Sequence, residues 1–258
     1  MNLILLEPGD IQSPAMSQSP FGNSSGDEHS EQPPIRAQLR DRRFQHVVEV
    51  HRADVGDKLK VGLLDGKIGE ARVVERGESH ITLEATFHRA PPPPLPLTLI
   101  LALPRPKMLK RTIQHATALG VKKLYLINAY RVEKSYWQSP WLAQDKLREQ
   151  CLLGLEQAVD TTLPHIELRK RFKPFVEDEL PSIASDSLKL VAHPVTDAPC
   201  PVDIQQQTTL AVGPEGGFIP YEVEKLQEAG FAPVHLGPRI LRVETALPVL
   251  MSRLFPGR

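Results

Sequence analysis

Two stretches combine the residue types that hold a small molecule and act on it. The first is Ala211-Val212-Gly213-Pro214-Glu215-Gly216-Gly217-Phe218, and the second is Leu236-Gly237-Pro238-Arg239-Ile240-Leu241-Arg242-Val243-Glu244-Thr245-Ala246. In each, a short apolar run (Thr209 to Val212, Val234 to Leu236) stops at a glycine and a proline, and a helix-compatible segment follows. Both read as the carboxyl end of a buried strand. In an open α/β sheet that end leaves a crevice lined by unpaired backbone N–H groups. Gly213, Gly216 and Gly217 carry no Cβ, so the backbone can approach a ligand closely. The loop has no Lys-Ser/Thr of a phosphate cradle and no G-x-G-x-x-G spacing, and Glu215 lies inside it. It suits a ligand held by backbone hydrogen bonds and apolar walls better than a polyphosphate. A tight strand-to-helix turn without a ligand is the plain alternative for one such loop. Two of them, with Arg239, Arg242 and Glu244 alongside, favour one shared pocket.

The pair G-P-E-G-G-F and L-G-P-R-I-L-R-x-E-T-A resembles the signature of the RsmE family, methyltransferases of the SPOUT superfamily that modify N3 of a uridine in small-subunit (16S) ribosomal RNA. The resemblance covers nearly the whole chain. It implies S-adenosylmethionine as cofactor, ribosomal RNA and the small ribosomal subunit as partners, and a homodimer. The implied fold is α/β: a SPOUT-type parallel sheet with a C-terminal trefoil knot, preceded by a small PUA-like β-barrel domain. The family's cofactor role carries onto Gly213, Pro214, Glu215, Gly216, Gly217, Leu236, Gly237, Ile240 and Leu241. His193-Pro194, after the apolar run Leu188 to Ala192, resembles the H-P that borders the cofactor pocket. His115 and His165 read as structural.

Some positions depart from the family pattern. Where the family reads E-Q-S-G-R, this chain has Glu156-Gln157-Ala158-Val159-Asp160, so an acid replaces an arginine. Where it reads Q-K-A-T-E-L-G, this chain has Gln114-His115-Ala116-Thr117-Ala118-Leu119-Gly120, losing a lysine and a glutamate. The cofactor loops match better than the RNA-facing positions. The alternative reading is therefore a non-catalytic ribosome- or RNA-binding protein retaining the fold, or a methyltransferase with a different RNA target.

Methylating N3 of uracil requires an aligned methyl group, loss of the imide proton, and stabilisation of negative charge spreading to the flanking carbonyl oxygens. Arg242 is the first candidate for that stabilisation, Arg239 the second, and Glu244 could position the base or an arginine. Each could instead form a structural ion pair capping the last helix.

At 258 residues the chain can hold two ordinary domains. A formal net charge of +0 excludes a uniformly basic nucleic-acid binder but leaves room for local patches. Cys151 and Cys200 have no metal-ligand spacing, which fits a reducing cytoplasm. The apolar opening Met1 to Leu6 is too short for a signal segment, and no run approaches a membrane span.

Residues 1–90 are expected to form the barrel-like RNA-binding domain, with Asn2 to Leu6 as a strand and 11–34, rich in Ser, Pro, Gln and Gly, as a mobile insertion. Lys58 to Leu64, Lys67 to Glu75 and His80 to His88 read as strands, and Asp41 to Val50 as a helix. Pro91 to Pro96 is a stiff linker, and 97–258 the methyltransferase domain. There, strand, helix, strand order from Leu97 to Ile127 indicates a parallel sheet. Tyr130 to Trp141 reads as a long loop, Leu142 to Val159 as a helix, and Thr245 to Phe255 as the last helix with Pro248 in its first turn. The basic residues assigned to RNA are Arg36, Arg40, Arg42 and Arg43, then Arg131 and Lys134, then Arg169, Lys170 and Arg171. A solvated face is the bland alternative for each.

Overall fold

The computed structural model describes residues 2–12 and 33–257, so most of the expected 11–34 insertion lies outside the described residues. The chain divides into two compact units: Met1–Pro91 with Glu156–Thr162, and Pro92–Leu155 with Leu163–Arg258.

The first unit contains β1 (Ile4–Leu6), β2 (Ile35–Leu39), α1 (Arg42–Glu49), β3 (Lys58–Leu63), β4 (Ile68–Arg76) and β5 (Ile81–Arg89). These form a five-stranded sheet in the order β1-β3-β4-β5-β2. The pattern is alternation: Ala71 and Val73 of β4 and Ile81, Leu83 and Ala85 of β5 point inward, while Glu70, Arg72 and Glu84 point out. Asp65, at φ 57°, and Gly66 make the β3–β4 turn. At Gly69 a Cβ would come within 1.7 Å of the Thr86 carbonyl oxygen, so only glycine fits the register shift there. Just after β1, Ile11 bridges Ala37 on β2, which joins the two edges of the sheet.

Residues 156–162 belong to this unit, a departure from the expected 97–258 domain. The Asn2 and Leu3 amides both donate to the Glu156 carbonyl oxygen at 3.1 Å, and the Asp65 amide donates to Thr161 at 2.9 Å. Arg42 makes a bidentate pair with the buried Glu156 carboxylate at 2.8 and 2.9 Å. Asp160 accepts from the Thr161 and Thr162 amides. The acid at the position of the family's arginine is thus part of a turn.

Two of the four arginines at the start of this unit are corrected as RNA contacts. Arg43 is buried, with its guanidinium on Asp41, Asp10 and the Leu5 carbonyl. Arg42 is held by Glu156. Arg36 and Arg40 are exposed.

The second unit contains β6 (Leu97–Ala102), α2 (Pro106–Ala118), β7 (Lys123–Ile127), α3 (Gln144–Ala158, its end in the first unit) and β8 (His165–Arg169). It continues with α4 (Phe172–Pro174), a π turn (Phe175–Glu179), α5 (Leu180–Ile183), β9 (Leu188–Ala192), β10 (Thr208–Val212), α6 (Pro220–Glu228), β11 (Ala232–Val234) and α7 (Val243–Leu254). The six-stranded sheet runs β11-β9-β10-β6-β7-β8 with every pairing parallel. Every residue of β6 and β10 is buried, as the unbroken apolar runs require for strands covered on both faces. The expected loop after β7 holds two short 3-10 turns, Lys134–Gln138 and Pro140–Leu142. α7 starts two residues earlier than expected, which puts Pro248 in its second turn. The helix forgoes the bond to the Glu244 carbonyl there. Burial of Leu247, Leu250, Met251 and Leu254 offsets that loss. Among the described residues no helix is long and apolar enough to cross a membrane.

The Arg43 cluster sets a stability test. Burial opposes ionisation of Asp41, but hydrogen bonds and charge from Arg43 prevail and hold its carboxyl below the ordinary 3.8. Its contribution is therefore complete above 3.8 and is lost as pH falls through the lower folded value. Arg43→Met leaves the half-buried Asp10 beside no cation, and should destabilise the first unit by about 3 kcal/mol. Arg40→Ala should stay within about 0.5 kcal/mol of the parent. Urea unfolding followed by a probe in the first unit checks both, and equal midpoints would refute the assignment.

Candidate active site

Because the second sheet is all parallel, the carboxyl ends of β9, β10 and β11 point the same way, and the loops leaving them meet. They enclose a cavity of about 500 Å³. His193, Gly213, Pro214, Glu215, Gly216, Gly217, Leu236, Gly237, Ile240 and Leu241 all line it, as do Arg239 and Arg242. Glu244 lies in the first turn of α7 and is not part of the lining.

The β10 loop is shaped by its glycines and tied from outside. Gly216 and Gly217 adopt φ of 86° and 78°, and the Gly217 amide donates to the Pro214 carbonyl at 2.8 Å. A Cβ at Gly213 would lie 2.8 Å from the Phe218 amide nitrogen. Arg105, which follows β6, forks onto both oxygens of Glu215, one at 2.8 Å. Arg131 donates to the Gly216 carbonyl. Buried Glu222 accepts from the Ile219 amide at 3.0 Å and the Tyr130 amide at 2.7 Å. Arg131, assigned to RNA from the sequence, is exposed and holds the glycine loop through this bond.

Arg105 was missed by sequence reasoning because its partner stands 110 positions away and no local pattern marks the pair. Arg169 is also corrected, being engaged by Glu167 at 2.5 Å and Glu179 at 2.6 Å. Lys134, Lys170 and Arg171 are exposed.

Two observations test whether the cavity fits a nucleoside-like cofactor. An added Cβ at Gly217 or Gly237 would meet no atom within 4 Å, so those backbones border open space. On the cavity wall, His193 Nδ1 is buried without a hydrogen-bond partner among the described residues. A buried ring nitrogen is normally satisfied, so His193 carries an unpaired polar atom beside the cavity. The apolar walls of Leu236, Ile240, Leu241 and Val212 complete an environment for a flat base and sugar. Among the described residues no group of His, Cys, Asp and Glu could hold a metal ion.

At the cavity, Arg242 is the residue before α7 and makes no side-chain cap. Among the described residues neither Arg242 nor Arg239 has an ion-pair partner, so the helix-capping ion pair left open by the sequence does not form at either. Two free guanidiniums beside an apolar cavity can stabilise negative charge on a substrate.

A parallel α/β unit with such a strand-end cavity defines a class, and the RNA methyltransferase domain matches residues 91–255 of the chain. The chain belongs to the ribosomal RNA small subunit methyltransferase E (RsmE) family. It is 30% identical over 216 residues to ribosomal RNA small subunit methyltransferase E of Treponema pallidum, covering 81% of this chain and 80% of that protein. A Legionella pneumophila methyltransferase solved with bound S-adenosylmethionine superposes with a TM-score of 0.66 at 25% identity, over 86% of this chain and 93% of that one. The ribosomal RNA small subunit methyltransferase E of Neisseria gonorrhoeae, bound to S-adenosylmethionine, gives 0.69 at 22% identity, over 98% and 96%.

Burial lowers the His193 pKa below 6.5 and keeps the imidazole neutral near pH 7. Between that depressed value and 6.5 the unfolded chain holds the extra proton, so this group's contribution is lost as pH falls through the window. NMR titration of the ring in the cofactor-free protein should give a midpoint below 6.5. A midpoint above it would place a negative partner at Nδ1.

Proposed function

We propose that the chain transfers the methyl group of S-adenosylmethionine to N3 of a uridine in small-subunit (16S) ribosomal RNA. One observation carries this reading: both glycine loops and His193 border a single cavity that also holds two unpaired guanidiniums, in a chain of this family. The cofactor supplies an electrophilic methyl group. The loops 213–217 and 236–241 hold it through backbone groups and apolar walls, and His193 gives Nδ1 as a polar contact. The chain's remaining task is the uracil ring, whose N3 proton must leave as negative charge spreads to the flanking carbonyls. Arg242 is the donor we assign to that charge. A cation at a helix N-terminus opposes the macrodipole, so internal stability does not explain its presence. Arg239 is the second donor; Glu244 pairs with neither arginine and lies outside the lining, so no role falls to it here.

We further infer the finer family features. A trefoil knot is supported by the path after β11: His235 exchanges hydrogen bonds with Ala198 and Cys200 of the loop that follows β9, and α7 then packs on α2. A PUA-like, RNA-binding role for residues 1–90, joined by a proline linker at 91–96 to a methyltransferase domain, is supported by the curled five-stranded sheet and the exposed Arg36 and Arg40. A homodimer is supported by a depression of about 490 Å³ on α7, lined by Val202, Leu236, Pro248 and Val249. Val202 and Val249 are exposed large apolar side chains. The two cysteines, both free and buried, fit a cytoplasmic protein.

Three measurements test the reading. Gly237 sits at φ 112°, where a branched residue incurs strain of about 1–3 kcal/mol, so Gly237→Val should weaken cofactor binding roughly tenfold or more by calorimetry. Unchanged affinity would remove that loop from the cofactor site. Arg242→Ala should bind cofactor within a few-fold of the parent, yet transfer methyl at least ~100-fold more slowly at saturating cofactor. Nucleoside mass spectrometry of ribosomal RNA from a deletion strain should lack N3-methyluridine until the parent gene returns. Near-normal turnover of Arg242→Ala would move its role to Arg239. A parent protein that binds subunits but methylates nothing would overturn the catalytic reading.

A further inference from the structure

Helix α2 carries Lys107, Lys110, Arg111 and His115 and no acidic residue. Its buried face is Leu109, Thr112, Ile113, Ala116 and Thr117. Lys107, Arg111 and His115 follow one another at one-turn spacing on the opposite, exposed side. Folding does not favour this arrangement. Cations in the first turns oppose the helix dipole, and Lys107 repels both Lys110 and Arg111 across a turn. Among the described residues none of the three makes an ion pair. Lys110 Nζ instead lies 3.0 Å from the Trp141 ring centroid, which holds the ammonium without cancelling its charge, while Lys107 and Arg111 have no such contact. The whole chain has net charge +0, so this charge is local rather than general. The ridge also has a direction. α2 starts directly after Arg105, which lines the cavity.

We propose that the exposed face of α2 docks the phosphate backbone of the substrate RNA, with Lys107 and Arg111 each contacting a phosphate. Uncompensated cations at helical spacing, leading from a cavity for base chemistry, match a polyanion whose charges also repeat at fixed spacing. The identity of the RNA rests on the methyltransferase reading; the docking surface does not.

The test compares the full-length parent with Lys107→Ala/Arg111→Ala, a change that favours the helix, using intact small ribosomal subunits across a salt series. The double variant should bind more weakly, and its log–log salt slope should fall by roughly 1.4, about 0.7 for each single-strand phosphate that is no longer neutralised. Cofactor affinity should not move, and Lys107→Arg/Arg111→Lys should restore the parent slope. A double variant with the parent slope overturns the proposal. So does a cross-link from position 107 or 111 that reaches a ribosomal protein and no RNA, since that would make a protein the partner. A parent that binds the RNA through α2 yet leaves it unmethylated with cofactor present would sink the methyltransferase reading while supporting the surface.

Discussion

The second unit depends on β10 lying in parallel register between β6 and β9. Thr208 is opposite Leu97 on one side and Leu188 on the other, and Val212 is opposite Leu101 and Ala192. All five residues of β10 are buried, so neither its backbone nor its side chains have an alternative arrangement. Its buried hydroxyls are satisfied: Thr209 pairs with Ser187 at 2.7 Å, and Thr208 donates to Gln206. This pairing is also where the strand order reverses. The chain lays down β6, β7 and β8 outward in one direction, then returns to place β9, β10 and β11 on the other side. A crevice must open at the strand ends of such a reversal. Gly213 leaves β10 and His193 leaves β9 at the same level because the register holds Val212 against Ala192.

What the sequence made legible was local. The apolar runs of β6 and β10, the glycine-proline stops and the helix signals of α2 each involve neighbours a few positions apart, where backbone sterics and burial decide. The loop residues could be named for the same reason. The interactions that shape those loops from outside were not legible. Arg105 meets Glu215, Arg131 meets Gly216 and Glu222 meets Tyr130 only after the sheet has formed. The extent of the first unit was hidden too, since nothing near Glu156 marks it as the partner of Arg42.

Arginine content proved a poor guide to free charge. Arg42, Arg43 and Arg169 each meet carboxylates of their own chain. For a buried group such as Arg43, that pairing answers the cost of removing an ion from water, so the charge is not offered outward. Beside the cavity, Arg239 and Arg242 have no such partner among the described residues, and on α2 neither does Arg111. Sequence clustering did not separate Arg42 and Arg43 from the exposed Arg36 and Arg40, because a run of arginines looks the same whether its acids lie outside or within the fold.

The inclusion of residues 156–162 in the first unit bears on how the chain comes off the ribosome. Synthesis delivers the N-terminus first, at about 5–20 residues per second. All five strands of the first sheet have emerged by Arg89. The Asn2 and Leu3 amides then still lack the Glu156 carbonyl, and Arg42 still lacks its carboxylate. For several seconds the nascent unit is a sheet with an unfilled seam, open to a chaperone or to the wrong partner. A gene fragment ending at the proline linker would keep that seam permanently.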